Sequence, residues 1–153
     1  MATIASLREE LATETTQLVR DIYSLGGREP DEQKVSTVME ILSWGHGESY
    51  TVILDRGIRA VSYLLSNEQA TSRELLKVTE MRGEHPIHNM HHLGLLGPLQ
   101  CNVIVPVGNY DNNDPIQCIY GLDSKKMGEE YIELATRLRN QLESGLYSGL
   151  VPK

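Results

Sequence analysis

An α+β fold is predicted, with an antiparallel sheet flanked by helices and the N- and C-terminal helices packed together. Two observations carry that expectation. Apolar residues recur at helical spacing near both ends of the chain, and between them lie pairs of β-prone runs joined by loops dense in turn formers. The resulting order, α-α-β-β-α-loop-β-β-α, segregates helices from paired strands, as α+β folds do.

Taken in order, the chain of 153 residues fits one compact domain, with an N-terminal helix over 1–30 and the main body over 31–153. Ser6-Leu7-Arg8-Glu9 has the form of a capping box. Leu7, Leu11, Leu18, Ile22 and Leu25 then form one helical stripe, and Ile4 extends it backwards, by an earlier start or a hydrophobic staple. Gly26-Gly27 ends this helix, because glycine takes the left-handed C-terminal position without steric cost. Pro30 suits the first turn of a second helix, in which Val35, Val38, Ile41 and Leu42 supply the buried side. Trp44-Gly45-His46-Gly47 closes it as a turn.

Tyr50–Leu54 and Ile58–Leu64, separated by Asp55-Arg56-Gly57, read as a β-hairpin. Ser66 or Thr71 caps a third helix, since Ser66–Gln69 and Thr71–Glu74 both have box spacing, and Leu75, Leu76 and Val78 are its apolar contacts. Gly83 to Pro98 reads as loop or short broken helix. A second hairpin joins Cys101–Val107 to Ile116–Leu122 through GNYDNNDP. Pro106 has no N–H to donate, which places it at a sheet edge or a bulge. Centring that loop on residues 108–115 sets Val105 opposite Cys118 and Cys101 opposite Leu122, so the thiols are out of register for a disulfide. The last helix runs from about Gly128 to Leu146, with Tyr131, Leu134, Leu138 and Leu142 on one face.

These segments together resemble a GAF domain from about Asp31 to Glu143: a helix, the hairpin TVILDRGIRAVSYLL, a helix, a variable loop, VIVPVG, IQCIYGLDSKK and a closing helix. The resemblance implies an antiparallel sheet of some six strands with a small-molecule pocket on one face, and terminal helices that often form a dimeric bundle. Bilin-binding members of that family use a Cys followed by His, whereas here Cys101 precedes Asn102 and Cys118 precedes Ile119. The Asn-Lys-X-Asp-Glu motif of cyclic-nucleotide-binding members is also missing. VILDRGIRAVS followed by VIVPVG is similar to the roadblock family as well, which implies a dimeric scaffold acting on a partner protein.

Composition narrows the function. A formal net charge of −7 argues against nucleic acid, which selects a basic face. No apolar run reaches the roughly 18 residues of a membrane span, and the acidic N-terminal stretch lacks the apolar core of a signal peptide. Two cysteines do not make a disulfide framework, and the setting expected is the cytoplasm.

The one concentration of reactive side chains is HPIHNMHH, with His85, His88, His91 and His92. Three readings fit it. On a helix His85, His88 and His92 share a face and suit zinc or haem iron. As a loop over the pocket that the GAF resemblance implies, the histidines line an organic ligand together with Tyr63 and Tyr120. As a plain polar loop, they do neither. Asn109, Asp111, Asn113 and Asp114 imitate a calcium loop but lack its Gly and closing Glu. Glu9-Glu10 and Glu129-Glu130 are read as acids that complement helix N-termini. No nucleophile elbow or carboxylate pair supports catalysis.

The function expected is therefore a stand-alone, non-catalytic GAF-like sensory or regulatory domain, binding a small ligand or another signalling protein. A homodimer through Leu7, Leu11, Leu18, Leu138 and Leu142 is expected with it, the alternative being that these leucines simply cover the sheet. The alternatives are a roadblock-like scaffold and a histidine-cluster metal or haem protein.

Overall fold

A computed structural model describes residues 3–43, 47–80, 103–109 and 118–143. The architecture is α+β, and the described elements are α1 (Ile4–Tyr23), α2 (Glu32–Ser43), α3 (Gly47–Asn67), β1 (Gln69–Thr71), α4 (Ser72–Thr79), β2 (Ile104–Asn109), β3 (Cys118–Leu122) and α5 (Lys125–Glu143). The three strands form an antiparallel sheet in the order β1-β3-β2.

α1 starts earlier than the Ser6 box. Thr3 is its N-cap, and the Thr3 hydroxyl accepts from the Ser6 backbone N–H at 3.1 Å. Leu18, Val19, Ile22 and Tyr23 are buried along its inner face. Its exit is made by Gly26 and Gly27, both at φ +81°, where a side chain would be strained. α2 begins after Pro30, with the Asp31 carboxylate accepting from the Lys34 N–H at 3.2 Å. Val35, Val38 and Leu42 are buried, while Ile41 is half-buried against the core.

The first hairpin is a correction: Gly47–Asn67 is one continuous helix of 21 residues. Its buried positions are Tyr50, Leu54, Gly57, Ala60, Val61 and Leu64, which repeat every three or four residues. A strand would put Val52 on the same face as Tyr50 and Leu54, yet Val52 is 48% exposed and Leu54 is fully buried. Asp55-Arg56-Gly57 has turn composition, but glycine inside a helix costs only about 1 kcal/mol. Burying the stripe of α3 outweighs that cost. TVILDRGIRAVSYLL, the hairpin of the GAF resemblance, and within it VILDRGIRAVS of the roadblock resemblance, thus lie in α3.

α3 and α5 form the main helix pair. At Gly128 the two helices come so close that an added Cβ would lie 3.3 Å from Val61 Cγ1 and 2.9 Å from Leu122 Cδ1. The β-branched Val61 has few rotamers with which to yield. Gly128→Leu is therefore expected to lower stability by about 1–3 kcal/mol in denaturant unfolding, through overpacking. Arg139 ties the same pair, meeting the Asp55 carboxylate on α3 and Glu143 Oε1 at 3.1 Å on its own helix.

The second hairpin forms as expected, though in a different register. Val105 faces Gly121, Ile104 faces Leu122 and Cys118 faces Asn109, instead of Val105 facing Cys118. A register shift between Pro106 and Gly108 leaves Val107 as the extra residue of a bulge. Pro106 sits on an edge strand beside that bulge, where its missing N–H is harmless. Cys101 lies outside the described residues.

β1 was not expected. It is three residues long and pairs Ala70 with Tyr120 across the sheet. Thr71 then caps α4 in a complete capping box with Glu74, while Ser66, the other cap considered, lies within α3. The Thr71 hydroxyl accepts from the Glu74 N–H at 3.1 Å, and Glu74 Oε1 accepts from the Thr71 N–H at 3.1 Å. Thr71→Ala is expected to cost about 0.5–2 kcal/mol in the same unfolding experiment.

Candidate functional site

Of the ligand-binding residues expected, His85, His88, His91 and His92 lie outside the described residues, as does His46. Tyr63 and Tyr120 are placed. Tyr120 is buried at the centre of β3. Tyr63 is half-buried on α3, and its hydroxyl donates to Glu74 Oε2 at 2.8 Å. That bond gives Tyr63 a structural task, tying α3 to the cap of α4. Among the described residues no group of three His, Cys, Asp or Glu is placed to hold a metal ion.

Glu74 is a titrating point of this tie. The Thr71 backbone N–H, then the Tyr63 hydroxyl and the Thr71 hydroxyl, hold its carboxyl below the usual glutamate range. Conversely, the bond to Glu74 raises the Tyr63 phenol. A depressed folded pKa means stability that is present above the unfolded glutamate pKa and is lost as pH falls through the folded one. The stability gap between wild type and Glu74→Gln is therefore expected to close on acidification below about pH 4, in unfolding curves measured across that range.

Four of the leucines expected at a dimer interface are used inside the protomer. Leu18, Leu138 and Leu142 are buried in the core, and Leu11 packs against it. Leu7 belongs to α1. α1 and α5 pack against each other, with Gln141 Nε2 donating to Thr15 Oγ1 at 2.9 Å and to the Leu11 carbonyl at 3.4 Å. The terminal helices thus meet within one chain, and these buried leucines are used there.

Their outer rims make a groove lined by charged, polar and apolar residues. Gln141 near the C-terminal end of α5 bonds to Leu11 and Thr15 in the middle of α1, while residues 24–27 after α1 share a hollow with Glu130 and Glu133 near the start of α5, so the helices run antiparallel. Two hollows open along this seam. One, of about 390 Å³, is lined by Asp21, Ser24, Leu25, Gly26, Glu130, Glu133 and neighbours. The other, of about 520 Å³, is lined by Glu14, Gln17, Leu18, Asp21, Arg137 and Asn140, with Gln141 at its edge. Asp21 lines both, so the two hollows adjoin along the seam.

The helical period explains the lining. Glu14, Gln17 and Asp21 stand at i, i+3 and i+7 on α1, and Glu130, Glu133 and Arg137 stand at the same spacing on α5. Four carboxylates face one guanidinium. Gln17 donates to Asp21 Oδ1 at 2.8 Å, and Lys126 approaches Glu130 at 4.0 Å. Sequence reasoning missed this groove because it assigned Glu9-Glu10 and Glu129-Glu130 to helix starts. The first turns of α1 and α5 in fact hold no acid. The available signal was the polar i, i+3, i+7 row opposite each apolar stripe.

Comparison with known proteins finds no matching family model, no matching curated protein and no matching solved structure. No helix among the described residues is long and apolar enough to cross a membrane.

Proposed function

We propose that this chain is a non-catalytic regulatory module of the cytoplasm that works by docking a protein partner on the α1–α5 face. One observation carries the reading: two adjoining hollows that share Asp21 make a groove with an uneven charge along the seam of the terminal helices. Such a groove offers shape and charge on a rigid base, because the apolar sides of both helices are buried in the core. The cytoplasmic placement rests on composition, with two cysteines in 153 residues.

The test compares wild type with Asp21→Lys/Glu133→Lys as baits in lysate of the source cells, followed by quantitative mass spectrometry. Asp21 is half-buried and Glu133 exposed, so the reversal leaves the core intact, and an unchanged melting curve verifies that. The expected result is a protein retained by wild type and lost by at least about tenfold with the variant. Equal retention of every protein by both baits would remove the α1–α5 face as the docking surface.

A further inference from the structure

We infer that the α1–α5 groove takes a basic amphipathic helix, which completes a three-helix layer with α1 and α5. This rests on the partner-docking reading and names the partner's chemistry. The groove lies between two antiparallel helices, a geometry that accepts a third helix along the seam. From Glu14 to Ser24 it spans 11 residues of α1 and its cap, a rise of about 15 Å, so the occupant needs about three turns.

Charge selects what that helix carries. Asp21, Glu130 and Glu133 line one end of the groove without a cation among its lining residues, while Arg137 is the one cation among the residues that line the other end. Among the described residues, no ion pair neutralises Asp21, Glu133 or Glu14, and Glu130 meets only Lys126 at 4.0 Å. The occupant's lysines or arginines therefore gather over the Asp21–Glu130–Glu133 end, and the end beside Arg137 takes neutral or acidic residues. Leu18, Leu25 and Leu134 supply apolar floor, so the occupant presents an apolar row between its charges. An acidic or uniformly charged helix fails one of these conditions.

The test uses the full chain and three fluorescent synthetic peptides of about 14 residues. The first is an amphipathic helix with a leucine row and lysines clustered toward one end. The second has the same sequence except for two central residues replaced by proline, which breaks the helix. The third replaces its lysines with glutamates. Fluorescence anisotropy is measured against wild type, Asp21→Lys/Glu133→Lys, and Glu9→Lys/Glu29→Lys, whose exposed acids lie outside the groove lining.

The first peptide is expected to bind wild type, to weaken at least about tenfold on the groove variant, and to change less than about twofold on the control variant. The second and third peptides are expected to bind at least about tenfold more weakly than the first. Equal binding by the first and second peptides would overturn the helical occupant while leaving the face as a docking surface. Equal binding of the first peptide to wild type and groove variant would overturn the site itself. No binding by any peptide, together with self-association in sedimentation that the groove variant abolishes, would assign the groove to a second copy of the chain and overturn the basic-helix occupant. No binding and no self-association would overturn the inference outright, leaving the lysate comparison to decide the broader reading.

Discussion

Tyr131→Ala is expected to lose about 3–5 kcal/mol of stability, the cost of deleting a large buried aromatic side chain. Tyr131 lies on α5 and is among the largest fully buried side chains, in a core that includes Val61 and Leu64 of α3 and Tyr120 of β3. Its removal leaves a cavity where α5 has to hold both the sheet and the helices. Domains of this size are stable by only about 5–15 kcal/mol, so the loss is a large share of the total. Urea unfolding followed by far-ultraviolet circular dichroism would measure it as a lower midpoint. An unchanged midpoint would mean that Tyr131 is not packed in the core.

Leu54→Ala compared with Val52→Ala gives the second large effect, and it separates helix from strand. Leu54 is fully buried and Val52 is 48% exposed, although the two positions differ by only two residues. In a helix they point to different sides; in a strand they would share one face. Leu54→Ala is expected to cost about 2–5 kcal/mol, whereas Val52→Ala should stay within about 0.5 kcal/mol. Alanine is also the better helix former, which offsets any contact that Val52 loses. Comparable losses at both positions would restore the hairpin.

How far the sequence could be read depended on the range of the interactions involved. α1, α2 and α5 were legible because their apolar stripes record a local period, and Gly26-Gly27 marks the end of α1 by backbone conformation. The β2–β3 hairpin was legible from its turn-rich connection, but its register depends on the bulge at Val107. β1 was hidden because its three residues become a strand only by pairing with β3. α3 was misread because Val, Ile and Tyr suit strands, and Asp-Arg-Gly suits a turn. There the periodic placement of Tyr50, Leu54, Gly57, Ala60, Val61 and Leu64 against α5 and the sheet outweighs local propensity.

The candidate site was less legible than the fold. HPIHNMHH stands out by composition alone, and it lies outside the described residues. The groove residues carry ordinary surface types, so Glu14, Asp21 and Glu133 look like solvated helix faces in the linear chain. Only the antiparallel packing of α1 on α5, fixed in part by Gln141 on Thr15, brings their rows to one seam.

The shape of that seam depends on α5 being seated on α3, and therefore on Gly47–Asn67 being one helix. Backbone assignment by nuclear magnetic resonance tests this most directly, through the α-carbon chemical shifts of residues 50–64. The account predicts helical displacement throughout, continuous across Asp55-Arg56-Gly57. Strand-type displacement over Tyr50–Leu54 and Ile58–Leu64, with a break at Gly57, would contradict it and remove the base on which the groove is built.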